Sequence, residues 1–226
     1  MKHVGLCNTS ACLLCAHCVP EWSALTALKK QTLQFKKGAT LFEEGDPVTG
    51  MYFTLEGALK VHRKWNGKEL IMRWVADKDI LGIRGFQGKA YTATATALAP
   101  TTVCFIPNAH IEASLKANGS FAYSLMQFYA AELQKTEQRM SDFAHMPVKG
   151  RIAQALLDFK NRFGVSADGF IRLSVTRQDI AAYAATTYET VFKVFAEWGL
   201  LSLIENSGKY IRIKEEKVLA GFVEIG

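Results

Sequence analysis

The pattern of apolar and polar positions is clearest in residues 176–201, where it predicts two short helices joined by a tight turn. Thr176 followed by Asp179 is typical of a helix start, because a hydroxyl accepts from an unpaired backbone N–H and an acid suits the positive end of the helix dipole. The segment Ile180–Ala184 then carries apolar residues three and four positions apart, which form one face. This arrangement is typical of a helix-turn-helix.

The second predicted helix has two chemically different faces. Thr187 can cap its start, and Gly199 is expected to end it. Its inward face is apolar and comprises Val191, Val194, Phe195 and Trp198. Its outward face is mixed and comprises Tyr188, Glu189, Phe192 and Lys193. The inward face predicts packing on the first helix, and the outward face is a candidate binding surface.

A β-hairpin is predicted directly after these helices. The apolar run Leu201–Ile204 is followed by the turn residues Asn206–Lys209, and Tyr210–Ile213 alternates apolar with polar. A helix-turn-helix with such a hairpin is a winged helix, whose second helix enters the major groove of DNA. Lys209 and Arg212 can contact phosphates, or can be solvated charges of an edge strand.

The outward face of the second helix suits the recognition of bases. Glu189 can accept a hydrogen bond from the amino group of cytosine, and Lys193 can donate to guanine. The same two residues lie four positions apart and are equally consistent with an ordinary ion pair on a helix surface. Both interpretations remain open at this point.

Residues 33–107 predict a β-barrel or β-roll, because strand-like stretches alternate with turn residues about every 8 to 12 positions. Residues 119–145 form the longest helical pattern, which Met146-Pro147 ends. Two seven-residue series on that helix form an apolar seam that favours a dimer, although a helix packed on its own domain is the alternative. The seam comprises Met126, Tyr129, Leu133, Thr136, Met140 and Phe143.

The predicted fold class is therefore α+β, with an N-terminal β-roll, a long dimerisation helix and a C-terminal winged helix-turn-helix. We expect four regions: a cysteine-rich segment at 1–22, a β-roll sensor domain at 23–118, the dimerisation helix at 119–146 and the winged helix at 147–226. With 226 residues, of which 49% are hydrophobic, the chain can form more than one core.

Composition adds expectations about location and partners. The sequence contains no apolar run of about 18 residues and no clear secretory signal, so we expect a soluble cytoplasmic protein without a membrane partner. The net charge is +6, and residues 147–226 contribute only +2 of it, from 11 basic and 9 acidic side chains. This basic balance is consistent with binding to nucleic acid.

The five cysteines are distributed unevenly, which suggests metal binding or redox chemistry. They are Cys7, Cys12, Cys15, Cys18 and Cys104. In a cytosolic chain such crowding favours metal over disulfides, and Cys-x2-Cys-x2-Cys is a spacing of iron–sulfur ligands. A zinc site that includes His3 or His17, a redox thiol group, or simple packing of the cysteines are the alternatives.

The order of these parts resembles the CRP/FNR family, which comprises the cyclic-AMP receptor and the fumarate–nitrate-reduction regulators. The resemblance covers the chain after about residue 20 and rests on Lys37-Gly38, Phe42–Asp46, Leu55–Gly57, Val103–Pro107 and Val175–Val191. It implies a homodimeric transcription factor that binds double-stranded DNA and acts with RNA polymerase. It does not imply an enzyme.

The cysteines resemble those of the oxygen-sensing branch of this family, which has several N-terminal cysteines and one in the β-roll. That resemblance implies a [4Fe–4S] cluster responding to a redox, oxygen or NO-type signal. The implied ligands are Cys12, Cys15, Cys18 and Cys104, with Cys7 as an alternate. Haem is a further candidate in this family, and His62, His110, His145 and Met146 would be its ligands here.

Cyclic AMP is not the expected signal. Family members that bind it resemble one another in a Gly-Glu followed by Arg-Ser/Thr-Ala, whereas here Gly82 lacks the Glu and Tyr91-Thr-Ala replaces the second motif. Arg84 and Lys89 in the same loop can still bind another anion. A metal-free regulator with a small organic effector in the β-roll is therefore our second hypothesis.

The family resemblance also suggests which side chains contact DNA. They are Thr176, Arg177, Thr187, Tyr188, Glu189, Phe192, Lys193 and Lys209. The family commonly has Glu-x-x-Ser/Gly-Arg where this chain has Glu189 to Lys193, so Lys193 loses the forked geometry of arginine. Phe192 adds an apolar group that can touch a thymine methyl, and we therefore expect a different operator.

Overall fold

The structure is a computed structural model that describes residues 13–16, 20–83 and 89–224. These residues form two compact units. The first comprises the chain up to His62 together with Val75–Gln134, and the second comprises Arg63–Trp74 together with the chain from Lys135 onwards. Several candidate site residues lie outside the described residues, namely His3, Cys7, Cys12, His17, Cys18 and Arg84.

The N-terminal part of the chain contains two helices and a series of strands. The helices are α1 (Leu13–Ala16) and α2 (Pro20–Lys29). The strands are β1 (Gln31–Phe35), β2 (Thr40–Phe42), β3 (Gly50–Glu56), β4 (Leu59–Trp65), β5 (Lys68–Val75), β6 (Ile80–Leu81), β7 (Thr94–Ala97) and β8 (Thr101–Pro107). Two helices follow, α3 (Asn108–Ala117) and α4 (Gly119–His145).

The strands form two sheets that pack face to face. One sheet has the order β1-β8-β3-β6 and the other has the order β2-β7-β4-β5. The space between them holds apolar residues from both, including Phe42, Leu59, Tyr91 and Val103. At the turn between β3 and β4, Gly57 has a φ of 115°, and a Cβ there would lie 2.5 Å from Thr101 Oγ1, so only glycine fits.

The first sheet also packs against helices on its outer face. Successive residues of a strand point to opposite faces. Met51 and Phe53 of β3 accordingly join a second buried cluster, which includes Ile111 of α3 and Phe121 and Leu125 of α4. The sheet is thus sandwiched between the interior of the β-roll and the helical layer.

The C-terminal part of the chain forms the winged helix. Its elements are α5 (Val148–Phe163), α6 (Arg177–Tyr183), α7 (Tyr188–Leu200), β9 (Ile204–Ser207), β10 (Tyr210–Ile213) and α8 (Glu216–Glu224). The sequence patterns did not predict α8, which packs on α5. A Cβ at Gly150 would lie 2.6 Å from the carbonyl oxygen of Phe222, so glycine permits this close approach. The Phe222 ring stacks on the fully buried indole of Trp198.

Most local predictions for this region are confirmed, and two boundaries differ. Thr176 and Thr187 cap α6 and α7, and the predicted inward face of α7 is buried. The prediction that Gly199 ends α7 was wrong, because the helix continues to Leu200 and the chain turns at Ser202, whose φ is 56°. The strand predicted from Leu201 consequently begins only at Ile204.

The larger architecture agrees with the predicted fold class of β-roll, long helix and winged helix-turn-helix. The predicted helix over 119–145 is α4, and Pro147 separates it from α5. Within the described residues, no helix has the length and apolar character needed to span a membrane.

Candidate functional site

The start of α6 is fixed by a reciprocal pair of hydrogen bonds. The Asp179 N–H donates to Thr176 Oγ1 at 3.0 Å, and the Thr176 N–H donates to Asp179 Oδ2 at 3.3 Å. This capping box satisfies two otherwise unpaired donors. The Thr176 side chain therefore fixes the first turn of α6.

The predicted outward face of α7 is exposed in the structure. Tyr188, Glu189, Phe192 and Lys193 all point to solvent. Hydrogen bonds from its own backbone N–H and from the Thr187 side chain lower the pKa of Glu189, with a smaller contribution from the charge of Lys193. Glu189 is therefore a carboxylate at neutral pH, and Lys193 lies one helical turn further along. This face presents an acceptor and a cation to a partner.

Arg177 lies beside this face, at the beginning of α6. Its guanidinium group lies 5.3 Å from the ring centre of Phe192 and 5.7 Å from that of Phe195. Such cation–π contacts hold the side chain of Arg177 against α7. Arg177 thus adds a second positive charge to the exposed edge of the helix-turn-helix.

The hairpin β9–β10 gives its two basic residues different roles. Lys209 is exposed at the tip of the hairpin, between the two strands. Arg212 donates to the carbonyl oxygen of Asp168 at 3.0 Å and pairs with Glu205. Arg212 is therefore engaged within the winged helix, whereas Lys209 can reach a phosphate.

Cys104 occupies a buried position on β8. Its side chain is 2% exposed and belongs to the cluster on the helical side of the first sheet. Leu14 of α1 lies in the same cluster, as do Phe121 and Leu125 of α4. Cys15 is the neighbour of Leu14 in α1. The thiol of Cys104 therefore shares a core with Leu14 of α1 and with the first turns of α4.

The comparisons with known proteins agree with this arrangement. Residues 32–118 match the family model of the cyclic nucleotide-binding domain, and residues 150–222 match that of the Crp-like helix-turn-helix domain. The transcriptional activator protein FnrA of Stutzerimonas stutzeri is 30% identical over 212 residues, which cover 89% of this chain and 86% of that protein. The chain belongs to the CRP/FNR family of transcriptional regulators.

Another relative of this CRP/FNR regulator and a solved structure also cover most of the chain. The CRP-like cAMP-activated global transcriptional regulator of Mycobacterium tuberculosis is 27% identical over 206 residues, covering 88% of this chain and 92% of that protein. The structure of FixK2 from Bradyrhizobium japonicum superimposes with a TM-score of 0.77 at 22% identity, covering 85% of this chain and 96% of that one. The predicted family is confirmed, and the protein is a transcriptional regulator rather than an enzyme. Its Crp-like helix-turn-helix implies binding to double-stranded DNA.

The stretch that would form the phosphate cassette of a cyclic-nucleotide receptor carries an aromatic side chain into the roll. Tyr91 stacks on Phe42 with ring centres 4.0 Å apart, and its hydroxyl donates to the carbonyl oxygen of Gly50 at 3.0 Å. Burial raises the pKa values of Tyr91 and Tyr52, so both phenols stay neutral. Lys89, which was considered as an anion-binding residue of this loop, is exposed.

The histidines proposed as haem ligands lie on three different elements, β4, α3 and α4. His62 is buried on β4, where its Nε2 is 2.9 Å from Thr96 Oγ1. His110 is buried on α3 with its Nε2 2.9 Å from Thr26 Oγ1, and burial lowers its pKa. His145 is exposed at the end of α4, and Met146 follows it. Across residues 13–16, 20–83 and 89–224, no three His, Cys, Asp or Glu side chains converge as a metal site.

The apolar seam predicted on α4 is largely exposed on the single chain. Met126 is 58% exposed, Leu133 59% and Met140 67%. Tyr129 is partly exposed, and its hydroxyl donates to the carbonyl oxygen of Ile83. Thr136 and Phe143 are half-buried. A row of exposed apolar residues on one face of a long helix indicates an interaction surface.

Arg139 has a positional role that the sequence patterns did not reveal. It projects from α4 and donates to the carbonyl oxygens of Ile71, Met72 and Tyr183. Trp74 and Asp158 also meet Tyr183, the first by ring stacking at 4.9 Å and the second by accepting from the phenol at 2.9 Å. In the sequence, Arg139 is recognisable only as a positively charged residue next to the apolar seam. That position does not indicate which groups it contacts.

Proposed function

We propose that this regulator acts as a homodimer on a two-fold symmetric operator and responds to a redox, oxygen or NO-type signal through a [4Fe–4S] cluster. The DNA-binding half of the proposal follows from the exposed face of α7. The dimer half follows from the apolar seam of α4. In a two-fold dimer the two α7 helices would enter successive major grooves about 34 Å apart. RNA polymerase is the expected partner at a promoter.

The position of Cys104 is the observation that carries the sensing half of the proposal. A cysteine on a strand can point into a β-roll or out of it, and Cys104 points out, into the core that Leu14 also joins. Leu14 belongs to α1, which also contains Cys15. A cluster held by Cys12, Cys15, Cys18 and Cys104 requires α1 to lie near Cys104. Cys7 is the alternate ligand. Iron–sulfur clusters are commonly held by cysteine thiolates in apolar surroundings, and the buried thiol of Cys104 is compatible with such a site.

The same core offers a route from the cysteines to DNA binding. Phe121 and Leu125 of α4 pack in the cluster that contains Cys104. A bound [4Fe–4S] cluster would supply sensitivity to oxidants, and its ligation would fix the N-terminal segment against this core. The first turns of α4 then pack differently in the two states, which changes the seam between protomers and the spacing of the two α7 helices.

The metal-free hypothesis needs space for an organic effector inside the β-roll. The packing of Phe42, Tyr52 and Tyr91 there instead favours a filled interior. Zinc held by the same cysteines is a further alternative, and it would leave the protein colourless. Haem would give a visible spectrum with a Soret band, so the visible spectrum separates the cluster and haem from the two colourless cases, and metal analysis then separates zinc from an organic effector.

Protein purified without oxygen should be brown, with about four irons per monomer and matching acid-labile sulfide, and should bleach in air. Cys104→Ser should lose the colour and the iron. Ile106→Val is the matched control, because it trims a buried side chain on the same face of β8 and should keep both. Colourless wild-type protein without iron would reject the cluster and leave zinc or an organic effector.

Lys193→Ala should weaken binding to the operator by about 1–3 kcal/mol, because it removes a contact to a base edge. Binding to random DNA should change much less. Lys209→Ala is the control for a phosphate contact, and it should weaken both kinds of binding alike and reduce their salt dependence. Fluorescence anisotropy at several salt concentrations measures both. Equal losses on operator and random DNA for Lys193→Ala would reject a base contact.

A further inference from the structure

The outward face of α7 carries an aromatic surface that charge recognition alone does not explain. Tyr188 is 43% exposed and Phe192 is 50% exposed. Their rings stack with centres 6.4 Å apart and planes inclined by 30°. We call these two side chains the aromatic ledge. The ledge lies on the same face as Glu189 and Lys193, within the first two turns of the helix.

The ledge is held in place from both ends. Tyr188 supports one side of the Phe192 ring, and the guanidinium of Arg177 lies on it at 5.3 Å. Arg177 is itself fixed by Phe195, which is buried in the winged-helix core. An aromatic group that is fixed in this way loses little conformational freedom on binding, so its contacts contribute fully to specificity.

The stability of α7 does not depend on the ledge. The side chains that hold α7 in place are Val191, Val194, Phe195 and Trp198, all of them buried. Phe192 is therefore available for a partner, and we expect the folded unit to form without its ring. Single exposed aromatic residues are common on protein surfaces. Two stacked rings on the face proposed to contact DNA are unusual and suggest a binding role.

The chemistry of the major groove limits what the ledge can recognise. Base edges there present hydrogen-bond donors and acceptors, and the one apolar group is the C5 methyl of thymine. Placing a phenyl ring against a donor or acceptor would bury that group without a partner, which is unfavourable. We propose that Phe192, supported by Tyr188, is a specificity-determining residue that recognises the methyl group of thymine in each half-site. This inference rests on the proposed entry of α7 into the major groove.

The test uses deoxyuridine, which pairs as thymine does and lacks only the C5 methyl. The operator is first selected from random duplex DNA with the full-length protein, both with and without oxygen. Each thymine of the half-site is then replaced by deoxyuridine, in both half-sites at once. At one or two positions we expect roughly a fourfold loss of affinity per half-site, as burial of one methyl group implies.

The variants assign this loss to a side chain. In Phe192→Ala the sensitive positions should tolerate deoxyuridine with no further loss. In Tyr210→Ala, which removes an exposed aromatic residue from the hairpin β9–β10, the sensitivity should remain. Tolerance of deoxyuridine at every position, or an equal loss in Phe192→Ala, would overturn the inference while leaving operator binding intact. Failure to enrich any sequence in either atmosphere would instead reject the proposed function and this inference with it.

Discussion

Replacing Leu133 by glutamate should convert the protein into a monomer and abolish operator binding. Leu133 lies in the middle of the seam on α4 and is 59% exposed on the single chain. In a two-fold dimer both copies would lose an apolar contact worth about 1.5–3 kcal/mol each, and two carboxylates would face one another. The dimer dissociation constant should rise by at least about 100-fold. Sedimentation equilibrium measures this constant directly.

Gln134→Glu is the matched control, because it adds the same charge in the same turn of α4 but one position away from the seam. It should leave both the dimer and operator affinity nearly unchanged. Both variants should show the same helical circular dichroism, since neither site is buried. A Leu133→Glu protein that still sediments as a dimer would exclude the α4 seam as the interface.

Arg139→Ala should clearly destabilise the protein. Arg139 donates to the carbonyl oxygens of Ile71 at 3.1 Å and Tyr183 at 2.8 Å, and also to that of Met72. Its guanidinium also lies 4.0 Å from the ring centre of Tyr183. Arg139 is half-buried, and its removal takes a charged donor away from three carbonyl groups, so the free energy of unfolding should fall by about 3 kcal/mol. Urea denaturation, followed by circular dichroism, measures it.

Arg139 connects the β4–β5 hairpin to the end of α6, because its donors reach carbonyl groups of both. Arg139→Lys keeps the charge but has no fork, so it should recover only part of the stability. Lys135→Ala removes a cation one turn earlier on α4 and should cost less than about 1 kcal/mol. If Arg139→Ala matched Lys135→Ala in stability, the contacts of Arg139 would be of no energetic importance.

The features that the sequence could predict are the local ones. Thr176 and Asp179 are three residues apart, so their capping box is visible in the sequence, and the seven-residue spacing along α4 is equally local. Gly199 was misassigned for a local reason, since a glycine in the last turn need not adopt the left-handed conformation that ends a helix. Ser202 adopts that conformation instead.

The contacts that the sequence could not predict join distant positions. Arg139 and Ile71 are 68 residues apart, and Asp158 and Tyr183 are 25 apart. No periodicity relates such pairs, because only the packing of complete elements brings them together. Cys104 is an intermediate case. The alternation of side chains along a strand predicts that Cys104 and Val103 point to opposite faces of β8. Only the folded structure shows that Cys104 is on the face that packs against the helices.

The stacking of Phe222 on Trp198 makes the last helix part of the hydrophobic core of the winged helix. Trp198 is a residue of α7, and its indole ring is covered by Phe222 of α8. A protein shortened before α8 would expose that indole to water and would loosen α7 even though every proposed DNA contact was still present. In a variant that keeps Trp198 and has Trp22, Trp65 and Trp74 replaced by phenylalanine, the fluorescence of Trp198 would report on the integrity of α7 in the absence of DNA.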